Sequence, residues 1–393
     1  MKGIITLNNL YNRNIKADSE NNDANLMNLE NVDKMTNIMI NNELYSEMID
    51  LIDLNSNNDY SMFNDLEMVY LFVHKEKDTD KKKNRSENTK REYIRELLLF
   101  LKQFSLQGYL YDFNKQKVTT LSLLKELNSR NIRKYQEWLI EVPLGKSSKP
   151  YSVTTIARKT VILRAFLKFL YNVGYIKNPL YESLLSSNVH KRDLPNRDLN
   201  SSEVKQLLEY FKDHPIVYCL IAVLTTTGIR VSELCGTRVS DLIYDEGTFW
   251  LKVIGKGNEE GEVKIHDNVM KSILAFRERR GLSTEVSLSD HSPLFTTAKN
   301  KPYNYKYLSN YLTRIINKAD IPFVKHRESP ITPHHFRHAF AIISAEQGAD
   351  ILRISQSLRH KKIDTTMIYL ERKLARKNNA AHSWDNSDFV NSI

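Results

Sequence analysis

Apolar residues recur at helical spacing in three stretches between residues 88 and 175. In the first, TKREYIRELLLFLKQF, and the third, SVTTIARKTVILRAFLKFLYNVG, apolar side chains stand three or four residues apart, as one face of a helix requires. The second, IRKYQEWLIEV, predicts a shorter helix, and Gly174 gives the third a stop. We therefore predict a helical domain over residues 86–185. The residues predicted to face its core are Tyr93, Ile94, Leu97, Leu98, Leu101, Phe104, Ile156, Leu163, Leu167 and Leu170.

The pattern changes beyond this domain. Residues 186–200, SSNVHKRDLPNRDLN, combine proline, asparagine and charges, which predicts a linker. Residues 201–393 then give helical patterns interrupted by one strand–turn–strand unit, TFWLKVIGKGNEEGEVKIH. The predicted fold class is mostly α with a small antiparallel β-sheet, and residues 201–393 form an α+β domain with a C-terminal tail.

Residues 1–85 form an Asn-rich, acidic N-terminal extension whose role the sequence does not reveal. Two apolar stretches, NIMINNELYSEMIDLI and SMFNDLEMVYLFV, predict small helices within it. The charged run HKEKDTDKKKNRSE at 74–87 predicts a solvated linker that leads into the helical domain.

Charge is distributed unevenly along the chain. The protein has a net charge of +10, yet residues 1–80 hold 6 basic and 15 acidic residues, so the remainder is strongly cationic. A cationic body indicates a polyanionic partner, and double-stranded DNA is the first expectation. The basic side of the third predicted helix is a candidate DNA-binding face, although such a face is more often simply solvated. Its residues are Arg158, Lys159, Arg164 and Lys168.

Composition excludes several classes of protein. No apolar run reaches the roughly 18 residues that span a bilayer, so no membrane partner is expected. The first residues lack the pattern of a secretory signal. Two cysteines, Cys219 and Cys235, are too few for a disulfide framework or a Cys-rich zinc site. We expect a cytoplasmic protein associated with the nucleoid.

Two stretches of the C-terminal domain carry cations suited to a phosphate. In TTGIRVSEL, Arg230 follows Gly228 at the predicted opening of a helix, where a guanidinium and free amides can donate to one anion. Glu233 lies one turn on and can pair with Arg230. In VIGKGNEEG, Lys256 lies between two glycines at a hairpin tip and could protonate a departing alkoxide. Alone, each pattern is more often an ordinary ion pair or turn.

A third stretch, TPHHFRHAF, begins with Thr332 and a proline, which predicts a helix start. His334 and Arg337 then fall on one face of its first turn, where they could grip a phosphate. His335 and His338 are expected to pack or to bond to the helix. No HExxH spacing or carboxylate pair accompanies the histidines, so no metal is predicted.

The fourth stretch, LRHKKIDTTMIYL, contains His360 and, nine residues later, Tyr369. Asp364 is a candidate N-cap for the helix that would carry this tyrosine. A tyrosine on a helix is usually a packing residue, and only the other three stretches favour a chemical role for this one.

Together the four stretches resemble the signature of the tyrosine recombinase (integrase) family. The matching features are the arginine in GIRVSEL, a lysine on a hairpin, HHFR after Thr-Pro, and a histidine nine residues before a tyrosine. The resemblance covers about residues 86–375, because the helical domain looks like the family's core-binding, SAM-like domain. Three features depart from the pattern: Arg359 replaces the usual glycine, NEEGE replaces basic residues after GKG, and Phe336 replaces a common leucine.

The resemblance implies a mechanism without metal or cofactor. Tyr369 would attack a DNA phosphodiester and form a 3′-phosphotyrosine, which conserves the energy of the broken bond. The two arginines would bind the nonbridging oxygens, His334 would accept the phenol proton, His360 would donate to the phosphate, and Lys256 would protonate the leaving 5′-oxygen. The catalytic set is thus Arg230, Lys256, His334, Arg337, His360 and Tyr369, with Glu233 in support.

The family usually acts as four protomers on two DNA sites, so a homotetramer is expected, with possible accessory DNA-bending or directionality proteins. Trp384 and Phe389 in the polar tail suggest a segment that docks in cis or in trans. We favour an integrase or transposase of a mobile element, because dimer resolvases commonly lack such an extension. An Xer-like chromosome or plasmid dimer resolvase, a type IB topoisomerase-like enzyme and an inactive DNA-binding protein of the same fold remain alternatives.

Overall fold

The chain divides into two compact units, Met1–Leu194 and Pro195–Ile393. The computed structural model describes residues 31–54, 59–80, 83–113, 122–145, 148–190, 193, 196–255, 259–360, 363, 366–367, 370, 379–384, 390 and 392. Within these residues, every helix is too short or too polar to cross a membrane.

The first unit is helical in all of its described secondary structure. Its helices are α1 (Val32–Met39), α2 (Glu43–Leu54), α3 (Asp65–His74), α4 (Glu87–Gln107), α5 (Leu123–Glu126), α6 (Ser129–Glu141) and α7 (Val153–Asn172). Nine of the ten residues predicted to face the core are buried, and the tenth, Tyr93, packs against it half-buried. Helix α7 ends two residues before Gly174, which has the positive φ of +72° that a helix stop requires.

The described part of the N-terminal extension belongs to this same core. All ten residues of α3 are buried, and the core cluster runs from Val32 to Leu184. The predicted boundary at residue 85 therefore does not separate two hydrophobic cores. The segment at 74–87, predicted to be a solvated linker, is attached to α3 through Arg85. Its Nη1 donates to the carbonyl oxygens of Phe72 (2.8 Å) and Val73 (3.1 Å).

One buried carboxyl group connects α3 to the rest of the unit. Asp65 is fully buried and accepts hydrogen bonds from the Leu124 N–H (3.0 Å) and the Tyr175 hydroxyl (2.8 Å). Burial disfavours its charged form and raises its pKa to about 7, because the two hydrogen bonds compensate only in part.

This carboxyl group should make the first unit less stable as pH rises. Its folded pKa lies above its unfolded value, so its stabilising effect is complete below about pH 4 and is lost as the pH rises through about 7. A shift of this size corresponds to at most about 4 kcal/mol. We expect the free energy of unfolding to fall less between pH 4.5 and 8 in Asp65→Asn than in the wild type.

Urea unfolding followed by the fluorescence of Trp138 can measure this slope, with Trp250 and Trp384 replaced by Phe to isolate the first unit. Equal slopes with and without the Asp65→Asn substitution would contradict the prediction, whatever the absolute stabilities.

The second unit combines helices with three short strands. Its elements are α8 (Ser201–Tyr210), α9 (Pro215–Thr227), α10 (Val231–Gly236), β1 (Leu242–Asp245), β2 (Thr248–Ile254), β3 (Glu260–Ile265), α11 (Asp267–Arg279), α12 (Tyr305–Ile316), α13 (Pro322–Lys325), α14 (Pro333–Glu346) and α15 (Ile351–Ser357). The strands form an antiparallel sheet of order β1-β2-β3, in which Leu251 pairs with Val263. The apolar helix α9 packs against α11, α14 and β3. The sequence predicted β2 and β3 but missed β1.

Candidate active site

Arg230 is held at the N-terminus of α10 by Glu233. The Arg230 backbone N–H donates to Glu233 Oε2 (2.9 Å), and its Nη1 donates to Oε1 (2.6 Å). The carboxylate side chain is 2% exposed, whereas the arginine side chain remains 35% exposed. Burial raises the pKa of Glu233, but the hydrogen bond from the Arg230 amide and the charges of Arg359 and Arg230 outweigh it and lower that pKa overall. An ionised Glu233 thus fixes a guanidinium that still reaches solvent.

Arg337 is buried and connects two turns. Its side chain on α14 is among the largest that are fully buried, with 1% of the residue exposed. Nη1 donates to the carbonyl oxygen of Gly228 (2.7 Å), and Nη2 donates to that of Leu358. The first turn leads into Arg230 and the second leads into His360. Sequence reasoning predicted a phosphate-binding role for Arg337 and missed this bridging one, whose partners lie 109 and 21 residues away.

Gly228 allows these two turns to approach each other. It has a φ of +63° and ends α9. A Cβ added there would lie 2.7 Å from Leu358 Cδ2 and 2.9 Å from Phe340 Cδ1, closer than packed carbon atoms approach. Both the positive φ and the close contact between the turns therefore favour glycine here.

The start of α14 is organised by a histidine as well as by Thr332. The N–H of Thr332, the N-cap residue, donates to His335 Nδ1 (3.1 Å). The imidazole of the first helical turn thus supplies the acceptor for the N-cap amide. This contact confirms the prediction that His335 bonds to the helix. His338 is also buried, and burial lowers the pKa of both rings, to about 4 for His335 and about 3 for His338.

His334 and His360 lie close to the two arginines. Although His334 keeps part of its surface exposed, its pKa is lowered to about 4, first by partial loss of solvation and then by the positive charges of Arg197, Arg337 and Arg230. Burial likewise lowers the pKa of His360 to about 4, with contributions from Arg337, Arg230 and His334. Both imidazoles are therefore neutral near pH 7, and four of the six predicted catalytic side chains share one electrostatic environment.

Two details of this environment were not predicted. Arg197 contributes a positive charge near His334, although the sequence placed it in a linker. Its only signal was its basic character within NRDLN. His360 Nδ1 lies 2.8 Å from Thr366 Oγ1, and this hydrogen bond orients the ring.

Lys256 and Tyr369, the other two predicted catalytic residues, lie outside the described residues, as do Asp364 and Phe389. Beyond the ends of β2 and β3, the Gly255 N–H donates to the Glu259 carbonyl oxygen (2.7 Å). Thr366, three residues before Tyr369, and Leu370, directly after it, are both buried. In the tail, Trp384 is 54% exposed.

Two of the predicted DNA-binding residues on α7 form ion pairs with α4. Arg158 bonds to Glu92 and Lys159 bonds to Glu96. The Lys159 side chain is only 14% exposed, whereas that of Arg158 is 66% exposed. Helix packing within the unit therefore accounts for Lys159, and Arg158 keeps most of its surface in solvent.

The other two predicted DNA-binding residues contact the segment after α7. Arg164 Nη2 donates to the carbonyl oxygen of Leu184 (2.6 Å), and Lys168 Nζ lies 5.9 Å from the centre of the Tyr181 ring. Lys168 is exposed and Arg164 is half-buried.

Among the described residues, no three His, Cys, Asp or Glu side chains are arranged to hold a metal ion.

Comparison with known proteins identifies several that are similar to this chain. The model of the phage integrase family matches residues 197–376. The tyrosine recombinase XerC of Thermodesulfovibrio yellowstonii is 34% identical over 229 residues, which cover 56% of this chain and 72% of that protein.

Two solved structures have the same fold. A lambda integrase tetramer bound to a Holliday junction aligns with a TM-score of 0.56 and 13% identity, over 81% of this chain and 86% of that chain. The Tn1549 transposon integrase in complex with circular intermediate DNA aligns with a TM-score of 0.51 and 17% identity, over 78% of this chain and 95% of that chain. These similarities confirm the predicted fold class.

Proposed function

Because the chain belongs to the tyrosine recombinase family, whose enzymes cleave and rejoin DNA strands, we propose that it is a site-specific recombinase of double-stranded DNA that acts through a 3′-phosphotyrosine at Tyr369. One observation carries this proposal. Arg230, His334, Arg337 and His360 come from three separate elements, yet they share one electrostatic environment in the second unit.

The proposed chemistry exchanges one phosphate ester for another. The Tyr369 oxygen bonds to phosphorus while the bond from phosphorus to the 5′-oxygen breaks. His334 accepts the phenol proton, for which a neutral imidazole is required, and Lys256 gives a proton to the 5′-oxygen. A 5′-hydroxyl of the partner strand then attacks the phosphotyrosine and releases Tyr369.

Arg230 is the proposed donor to the nonbridging oxygens, because its guanidinium is fixed by Glu233 and remains partly exposed. His360 is proposed to donate to the same phosphate. Arg337 is proposed to act from the interior, adding positive charge and holding together the turns that carry Arg230 and His360. No step needs a metal or cofactor, since the guanidinium groups of Arg230 and Arg337 offset the negative charge of the transition state.

The similarity to XerC favours an Xer-like role, in which the enzyme resolves chromosome or plasmid dimers. An integrase or transposase of a mobile element is the second candidate. The observation in its favour is the acidic extension, whose helices α1 to α3 enlarge the core of the first unit. In either role we propose that four protomers act on two DNA sites.

The test uses suicide duplexes, which carry a nick next to the cleavage site. After cleavage, the short strand that bears the 5′-hydroxyl dissociates, so the covalent adduct cannot be rejoined and accumulates. The DNA sites are the dimer-resolution site of the source chromosome and the joined ends of any mobile element around the gene. We expect a covalent adduct, and peptide mapping should place the DNA on Tyr369. Joining is measured on intact duplexes of the same sites, which keep their 5′-hydroxyls. Joining between two copies of the resolution site supports the Xer-like role, whereas joining of element ends to a separate target supports integration.

Two results would contradict the proposal. An adduct without joining between sites would indicate a topoisomerase-like enzyme. Binding without an adduct, on every one of these DNAs, would indicate a DNA-binding protein that does not cleave.

A further inference from the structure

Arg359 occupies the turn between α15 and His360 with a backbone that favours glycine. Its φ is +53°, in the left-handed region that is uncommon for residues with a side chain. Glycine was the residue expected there from the family resemblance. The turn is nevertheless closed by regular hydrogen bonds, from the Arg359 N–H to the Gln356 carbonyl oxygen (2.9 Å) and from the His360 N–H to that of Ser355 (3.1 Å). The arginine side chain is therefore what distinguishes this turn.

That side chain reaches the carboxylate that holds Arg230. Arg359 Nη2 donates to Glu233 Oε2 at 2.5 Å, and the Arg359 side chain is only 13% exposed. Its path crosses strand β3 at Gly261, where an added Cβ would lie 2.5 Å from Arg359 Cδ. Gly261 thus leaves the space that the arginine fills.

Glu233 consequently lies between two guanidinium groups. Oε1 accepts from Arg230 Nη1, while Oε2 accepts from the Arg230 N–H and from Arg359. A carboxylate held at both oxygens cannot rotate, so the direction of the Arg230 guanidinium is fixed. In addition, two cations share one negative charge, which leaves more positive charge at Arg230 than a simple ion pair would.

We propose that Arg359 is a positioning residue for DNA cleavage: it clamps Glu233, and through it Arg230, to the turn that carries His360. This inference rests on the proposed recombinase function. Arg359 does not need to touch DNA for this role, since its guanidinium is directed to Glu233 inside the unit.

The first test compares single-turnover cleavage of the suicide duplex by wild type, Arg359→Gly and Arg359→Lys. Glycine suits the positive φ, so the turn should survive while the clamp is lost. We expect cleavage to slow by about 10- to 100-fold, as a misplaced catalytic group causes. Lysine keeps a cation within reach of Glu233 and should restore most of the rate. Arg353→Ala on α15 is the matched control, because it removes an exposed arginine that pairs with Asp350, three residues away on the same helix start.

The second measurement is the dependence of DNA affinity on salt. A residue that contacts phosphate contributes about one unit to the slope of log affinity against log salt concentration. A positioning residue contributes none, so Arg359→Gly should bind DNA with the slope of the wild type.

The third test uses Gly261→Ala, which places a methyl group 2.5 Å from Arg359 Cδ, too close for both groups to keep their positions. This change should slow cleavage in the wild-type background and have little effect once Arg359 is glycine, because the clash is then absent. Such coupling is not expected if Gly261 affects only the folding of β3.

The outcomes separate this inference from the proposed function. Failure of the wild type to form any adduct overturns both. A wild type that cleaves while Arg359→Gly cleaves equally fast overturns only the role of Arg359. A salt slope reduced by about one unit makes Arg359 a phosphate contact and likewise overturns the positioning role.

Discussion

Replacing Tyr369 with Phe should abolish the covalent adduct while leaving DNA binding nearly unchanged. The substitution removes one oxygen atom, the atom that would bond to phosphorus, and keeps the aromatic ring. Without that oxygen atom the proposed phosphotyrosine cannot form, so the loss should be complete rather than partial. This is the largest effect that we expect from any single substitution.

The measurement pairs a denaturing gel of the suicide duplex with a mobility-shift assay on intact DNA. Tyr307→Phe is a suitable control, because it removes the same atom from an exposed tyrosine on α12. The control should form the adduct at the wild-type rate. An adduct that persists in Tyr369→Phe, and maps to a different residue, would refute the assignment of the nucleophile.

The helices of the first unit could be predicted because their apolar faces have a clear period. Strand β1 could not, since one of its four residues is buried and four residues are too few to show alternation. Helix α3 was predicted as a small element of a separate extension. An apolar run of this length shows that a segment will be buried, but it does not show which core will bury it.

The candidate site was predicted as a set of residues but not as an arrangement. Motif spacing brought Arg230, Arg337, His334 and His360 to attention, and the structure gathers these four. The bridge made by Arg337 and the clamp made by Arg359 each include one partner more than 100 residues away. Nothing in local sequence encodes such pairs. Arg359 stood out only as a departure from the expected glycine.

The two arginines should differ in how their loss affects the protein. Arg230→Ala should slow cleavage by about 10²- to 10³-fold, the usual cost of removing one preorganised donor to a transition state. Its effect on the stability of the second unit should be small, because the side chain is partly exposed and Glu233 keeps Arg359 as a partner. DNA affinity should fall little, since many other phosphate contacts contribute to it.

Arg337→Ala should slow cleavage at least as much and should also destabilise the unit. Its removal leaves the carbonyl oxygens of Gly228 and Leu358 without their donors and opens a cavity under both turns. Each buried carbonyl oxygen left without a donor typically costs about 1–3 kcal/mol, and the cavity adds to this cost. For a domain of this size, that corresponds to a fall in melting temperature on the order of 10 °C. Arg337→Lys should not rescue the stability, because one ammonium group cannot span two carbonyls as a guanidinium does.

Calorimetry of the intact protein and single-turnover cleavage, measured on the same samples, distinguish the two cases. The cleavage assay should be run well below the lowered melting temperature, so that the Arg337→Ala protein is folded when its rate is measured. Melting of Arg337→Ala at the wild-type temperature would show that this guanidinium does not hold the turns together. Its role would then reduce to direct phosphate binding, and the two alanine variants should become indistinguishable except in rate.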